Sequence, residues 1–255
     1  MSPLLEHILA HALPIAVRLA GVMTFAPFFG SDAFPARVKA ALVCALTALL
    51  YGVCPTPDLS LTLLSVTRLV LREAVLGLMM GLSVQIVLEG AQLAGQLAGA
   101  QLGFSLAAII DPQTNIETPV LTIFYQMVAL LIFLQLNVHH WILRAVVKSF
   151  GYFPVGTGVV TLGAARELLR AAGAMWLIGV QIAAPVLLAT LVIDVTIGFL
   201  SKASPQLPAM LLGISAKSLA GYVLLAVSVG LWPLLLEHKF LNALGWMERV
   251  LGVAR

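Results

Sequence analysis

The sequence predicts an all-α membrane protein with about six or more hydrophobic helices, some of them broken or hairpin-like. Of its 255 residues, 61% are hydrophobic and 10% charged, whereas a soluble domain carries about 25% charged residues. The mean hydropathy is +1.05, so there is too little polar surface to cover a water-soluble globule. The apolar residues gather in long runs separated by turn-forming clusters such as Gly30-Ser31-Asp32 and Ser204-Pro205-Gln206-Leu207-Pro208. Backbone polar groups in lipid are satisfied within the segment by a helix, which fits runs of this length.

A bilayer core of about 30 Å takes roughly 20 helical residues. The first run is Leu4–Phe29, interrupted by Pro14 and Arg18. No basic stretch precedes it and no small-residue cleavage site follows, so it is expected to stay in the protein. The second, Val38–Val53, is short, and the third, Leu69–Ile110, is too long for one simple span. Val120–Leu136, Trp176–Ile197 and Leu219–Leu236 follow. The chain reads as a single membrane domain, 1–255, with 239–255 an amphipathic C-terminal helix. In that helix Phe240, Leu241, Leu244, Met247 and Leu251 fall at helical spacing, opposite Glu248 and Arg249. An interfacial helix and a docking helix are both open.

Sidedness depends on the third run. If 69–110 crosses once, nine flanking basic residues collect on the side of both termini and four on the other. The richer side would then be cytoplasmic. A hairpin at 69–110 reverses the parity beyond it, and both topologies stand.

The stretch from Gln85 to Pro119 is the least expected in such a chain. Gln85, Glu89, Gln92 and Gln96 fall in one narrow helical sector. A polar side chain in hydrocarbon is costly unless paired. The stripe therefore faces neighbouring helices or a wet lumen, as structural hydrogen bonding or as a translocation path. Gly77, Gly81, Gly95, Gly99 and Gly103 fall at spacings of four within the two parts of this run. Small residues at this spacing let helices approach closely, within one chain or between subunits. Each glycine also weakens a helix by about 1 kcal/mol relative to Ala, which predicts a helix that bends or breaks. The break itself is expected at Asp111-Pro112, because proline restricts the residue before it and offers no N–H.

Four charges are expected to be buried: Arg18, Arg72, Glu73 and Asp194. An intramembrane arginine needs a carboxylate or carbonyl partner, and Glu73, Glu89 and Asp194 are the candidates for Arg18. Asp194, the lone charge of the fifth run, reads as a proton relay or as a structural partner. Cys44 and Cys54 read as buried thiols with no metal or disulfide spacing. His139 and His140 are adjacent and ill-placed to share a metal. No nucleophile elbow, HExxH or Walker loop is present. No catalytic, cofactor-binding or metal residue is therefore assigned. The scattered basic residues form no nucleic-acid face. A small-solute or ion transporter remains an alternative, with Asp194 and Glu89 as its midplane candidates.

Motif order adds a resemblance. Arg18 is followed by Ala26-Pro27-Phe28-Phe29-Gly30 and Phe34-Pro35-Ala36-Arg37-Val38-Lys39. Arg72-Glu73 precede Gly77 and Gly81, and Ala94-Gly95 lead through Gly103-Phe104-Ser105 to Asp111-Pro112-Gln113. His139-His140, Ser149-Phe150, Pro154 and Ser204-Pro205-Gln206-Leu207 complete the series. In this order and spacing the chain resembles the FliR/SpaR/YscT family of flagellar and type III secretion export-gate proteins over nearly its whole length. Val138 stands where the family usually has glycine, and Pro208 where it usually has asparagine. The motif set is close to the flagellar pattern, which both branches share.

The resemblance implies a non-enzymatic component of a multi-subunit helical export gate, without cofactors. It implies the bacterial inner membrane at the flagellar basal body, and contact with membrane lipid. The partners implied are FliP-like and FliQ-like subunits, FlhB-like and FlhA-like export components, and unfolded protein substrates, with no nucleic acid. Helices in such a closed cone need not cross the bilayer as ordinary spans. The loop after the Gly-Phe-Ser block would act as a pore plug. Here that is Phe104–Pro119, with Phe104, Ser105, Asp111, Pro112, Gln113, Asn115 and Glu117 as the plug residues.

Overall fold

The computed structural model describes residues 3–27, 29–30, 35–52, 63–103, 120–156, 162–206 and 208–250. Among them all regular structure is helical: α1 (Pro3–Phe25), α2 (Ala36–Leu50), α3 (Leu63–Gln101), α4 (Val120–Gln135), α5 (Val138–Tyr152), α6 (Leu162–Ala203), α7 (Ala209–Val229) and α8 (Trp232–Val250). Three helical stretches among the described residues are long and apolar enough to cross a membrane: Leu64–Gln101, Arg166–Ala203 and Leu212–Val229. The pair α4 and α5, bent by 63°, makes a fourth if taken as one broken span. This is the all-α membrane architecture that the composition predicts.

The chain forms two compact units. The first comprises Met1–Ile86, Phe133–Ala172 and Phe240–Arg255. Its core is built on α1, whose Ile15, Leu19, Val22 and Met23 make one buried stripe at helical spacing, continued by Ala26 just beyond the helix end. Here α1 meets α3 backbone to backbone. A Cβ on Gly21 would sit 2.9 Å from the Ala74 carbonyl oxygen, and one on Gly81 would sit 2.7 Å from that of Val22. A Cβ on Gly77 would strike the carbonyl oxygen of Arg18. Phe133 and Phe240 pack edge to face, 5.6 Å between centroids.

The second unit comprises Val87–Ile132 and Gly173–Lys239. Gly95 of α3 lies against α4, where a Cβ would be 2.6 Å from Thr122 Cα. Gly90 lies against Ile178 of α6, and Gly179 of α6 against Leu93 of α3. The rings of Tyr125 and Trp232, both buried, are 4.5 Å apart.

Several expected boundaries move. Helix α3 is continuous over 39 residues and runs through Gly77, Gly81, Gly95 and Gly99 without a break. A packing glycine that is filled by a neighbouring backbone regains in close contact what it loses in helix propensity. The helix stops only near Gly103, whose φ of 89° a side chain would strain. The expected fifth run sits inside the 42-residue α6, whose first turns carry Arg166, Glu167 and Arg170. The expected sixth run is divided at Gly230-Leu231, and Pro233 opens α8 in its first turn, where a missing N–H costs nothing. The C-terminal helix therefore begins at Trp232 rather than at residue 239. It buries Phe240, Ala243 and Met247 but leaves Leu241 exposed. Asn137, at φ 55°, separates α4 from α5; asparagine accepts this left-handed conformation more readily than most residues. Cys44 is exposed, not buried. Cys54 lies outside the described residues.

Gly77→Ala places a methyl group against a carbonyl of α1, and overpacking of this kind costs about 1–3 kcal/mol. A Cβ added at Gly198 would meet nothing within 4 Å, so Gly198→Ala gains up to about 1 kcal/mol of helix propensity. Thermal unfolding in detergent is expected to give a lower midpoint for Gly77→Ala and an unchanged or higher one for Gly198→Ala.

Candidate functional site

Among the described residues, the most highly connected polar constellation is in the first unit. Arg18 of α1 and Glu73 of α3 are both fully buried, and Arg18 Nε donates to Glu73 Oε2 at 2.5 Å. The guanidinium also donates through Nη1 to Ser149 Oγ at 2.9 Å and through Nη2 to the Phe153 carbonyl at 3.1 Å. Its carbon stands 4.0 Å from the centroid of the Phe150 ring. The second carboxylate oxygen of Glu73 accepts from Gly156 N–H at 3.0 Å. Ser149 Oγ donates onward to the Val146 carbonyl at 2.6 Å. One ion pair thus joins α1, α3, α5 and the turn after α5. In hydrocarbon surroundings such a pair holds only with further hydrogen bonds, and here each guanidinium nitrogen and each carboxylate oxygen has a partner. Each of these contacts ties one helix or turn to another, which is the arrangement of an anchor.

Arg72 and Asp194 depart from the expected burial. Arg72 is exposed and donates to the Gly156 carbonyl at 2.8 Å. Successive residues of a helix stand about 100° apart, so with Glu73 turned into the core its neighbour points away from it. In the second unit, Asp194 of α6 is 51% exposed and pairs with Lys217 of α7 at 2.5 Å. Among the candidates for Arg18, the structure selects Glu73.

On α3, Gln85, Glu89 and Gln92 are half-buried, and Gln96 is exposed. Gln85 and Glu89 each take part in a polar interaction. Of the packing glycines, Gly77, Gly81, Gly95 and Gly99 are buried, and Gly103 ends the helix. The end of α3 is tied down in the second unit. Ser218 of α7 donates to the Leu102 carbonyl at 3.2 Å, and Gly221 packs against the Leu102 side chain. That bond satisfies one of the carbonyls a helix leaves open at its C-terminus. Phe104, Ser105, Asp111, Pro112, Gln113, Asn115 and Glu117 lie outside the described residues.

Sequence reasoning missed Lys217 and Ser218, although the two polar residues interrupt an otherwise apolar stretch of α7. Ser149 and Phe150 carry a motif signal, but no spacing rule ties them to Arg18. The Pro154-Val155-Gly156 turn offers the one hint that backbone groups lie open beside them. Among the described residues no group of three His, Cys, Asp or Glu could hold a metal ion.

Glu73→Gln leaves the Arg18 charge buried without its counter-ion, a loss of about 3–5 kcal/mol. Replacing both partners with leucine removes the charge as well as the pair and is expected to cost less. The amount of folded protein in the membrane, and its thermal midpoint after extraction, should therefore rank wild type first, the double variant second and Glu73→Gln last.

Comparison with known proteins extends this geometry. A family model described as bacterial export proteins, family 1, matches residues 9–243. The chain is 27% identical to the flagellar biosynthetic protein FliR of Escherichia coli K12, over 88% of this chain and 86% of that protein. It is 26% identical to FliR of Bacillus subtilis 168, over 94% of each chain. It is 28% identical to FliR of Pectobacterium carotovorum, over 88% of this chain and 86% of that protein. With the match running from α1 into α8, the chain belongs to the bacterial export proteins, family 1.

Proposed function

We propose that this protein is a non-enzymatic component of the flagellar type III export gate, in the inner membrane at the flagellar basal body. It assembles with FliP-like and FliQ-like subunits into the channel for unfolded export substrates, in reach of FlhB-like and FlhA-like components. The observation that carries this reading is the family match over residues 9–243, together with relatives named as flagellar biosynthetic proteins and covered over 86–94% of their length.

The surface agrees with a life among partners or lipid. In the most apolar windows of α6 and α7, only 33% and 17% of residues are buried. Leu188, Leu191, Val192, Val195 and Phe199 of α6 are exposed, as are Leu219, Val223 and Val227 of α7. Exposed apolar area of this extent marks a membrane or subunit interface. The transporter alternative loses one of its two candidates, because Asp194 is half-exposed and already neutralised by Lys217.

Deletion of the gene is expected to abolish motility and the export of flagellar substrates, with both restored by the intact gene. Extraction in mild detergent is expected to bring down FliP-like and FliQ-like subunits; a chain that moves a solute unaided and carries neither would defeat the proposal. In the same reading, residues 111–117 belong to a plug. Their deletion is expected to raise ion conductance through the assembled complex, and unchanged conductance in a complete complex would remove the plug assignment.

A further inference from the structure

In the first unit, α1, α2 and α5 enclose a groove of about 430 Å³, within the range of about 300–1,000 Å³ typical of ligand sites. Its floor is aliphatic: Leu19 and Leu50 are buried, and Leu46 and Leu143 stand half-buried beside them. Its mouth is open, with Leu49 71% exposed. Along one wall Arg144 and Lys148 project from α5 one turn apart, both exposed. Among the described residues neither has a carboxylate partner, since the three ion pairs use other residues.

The rest of α5 gives this wall a direction. Val138, Ile142, Val146, Ser149 and Phe150 are buried on one face. Arg144, Lys148 and Tyr152 follow at steps of four on the other, all exposed. Basic residues and tyrosine side by side on an amphipathic helix mark the headgroup level of a membrane. An aliphatic trough flanked by two cations that have no carboxylate partner among the described residues suits a fatty chain ending in a phosphate.

We propose that this groove binds an anionic phospholipid, with an acyl chain along Leu19, Leu46, Leu50 and Leu143 and the phosphate held by Arg144 and Lys148. The inference stands on this geometry and not on the export function. Two basic residues at a membrane surface together favour an anionic over a zwitterionic lipid by about 30-fold. Inorganic phosphate would meet the cations but gain nothing from the floor. A protein helix seated here would have to bring its own carboxylates to the two cations.

The test uses the full chain, extracted in mild detergent with whatever subunits accompany it, from membranes containing phosphatidylglycerol and phosphatidylethanolamine. Lipids retained after washing are quantified by native mass spectrometry. Wild type is expected to retain phosphatidylglycerol about 10-fold or more above its bulk ratio to phosphatidylethanolamine. Arg144→Gln/Lys148→Gln is expected to return to the bulk ratio, Arg144→Lys to keep the enrichment, and Leu46→Trp to lose bound lipid of both kinds by filling the trough. Lys202→Gln, an exposed cation on α6, controls for net charge. Retention in the bulk ratio by wild type overturns the proposal without any variant having to fold. So does an equal fall in Lys202→Gln and the double variant, binding of inorganic phosphate with no lipid retained, or a protein cross-linked from positions 144 and 148 in place of lipid.

Discussion

The first unit depends on a fully buried arginine reaching a fully buried glutamate at 2.5 Å. Neither charge is tolerable alone in a chain that is 61% hydrophobic. Together they hold because Ser149, Phe150, the Phe153 carbonyl and the Gly156 N–H add further partners to the pair. The reach in turn depends on how closely α1 and α3 approach. That approach is set by Gly21, Gly77 and Gly81, and the atom lying where a Cβ on Gly77 would stand is the carbonyl oxygen of Arg18 itself. The ion pair and the glycines are therefore one device. Small residues bring the two backbones together, and the nearness makes a short charged contact possible.

The helical class and the existence of a partner for Arg18 were legible in the sequence, because both follow from the cost of polar groups in hydrocarbon. Glu73 could not be singled out from Glu89 and Asp194 by spacing, since the choice is made by tertiary approach. Helix ends were harder to read. An apolar count sees Trp176–Ile197 but not the rest of α6, whose charged first turns extend the helix beyond its greasy part. It also reads through Gly230, where the backbone divides α7 from α8. The glycines of α3 misled in the same way. Propensity treats each as a weakness, yet Gly77, Gly81 and Gly95 are filled by neighbouring backbone, and the helix runs on.

Length is a further constraint. At about 1.5 Å per residue, α6 with its 42 residues extends about 63 Å, and α3 with 39 about 58 Å. A hydrocarbon core is about 30 Å thick. Each helix therefore extends well beyond such a layer if it stands upright in it, and in α6 the charged first turns with Arg166, Glu167 and Arg170 are the part that would lie outside. Burial divides the long helices as well. In α3, 67% of the most apolar window is covered, while α6 and α7 leave most of theirs open.

The glycine contacts carry a consequence for how relatives are compared. Most helix pairs are specified by complementary side chains, so a change on one side invites a matching change on the other. Where Gly81 faces the Val22 carbonyl and Gly95 faces Thr122 Cα, the partner atom is one that every residue possesses. Glycine is required on one side, while the residue opposite is free to vary as far as this contact is concerned. Correlated substitutions would then leave little trace at the places where these helices come closest. A contact map built from covariation would be faintest along the very seam that brings Arg18 to Glu73.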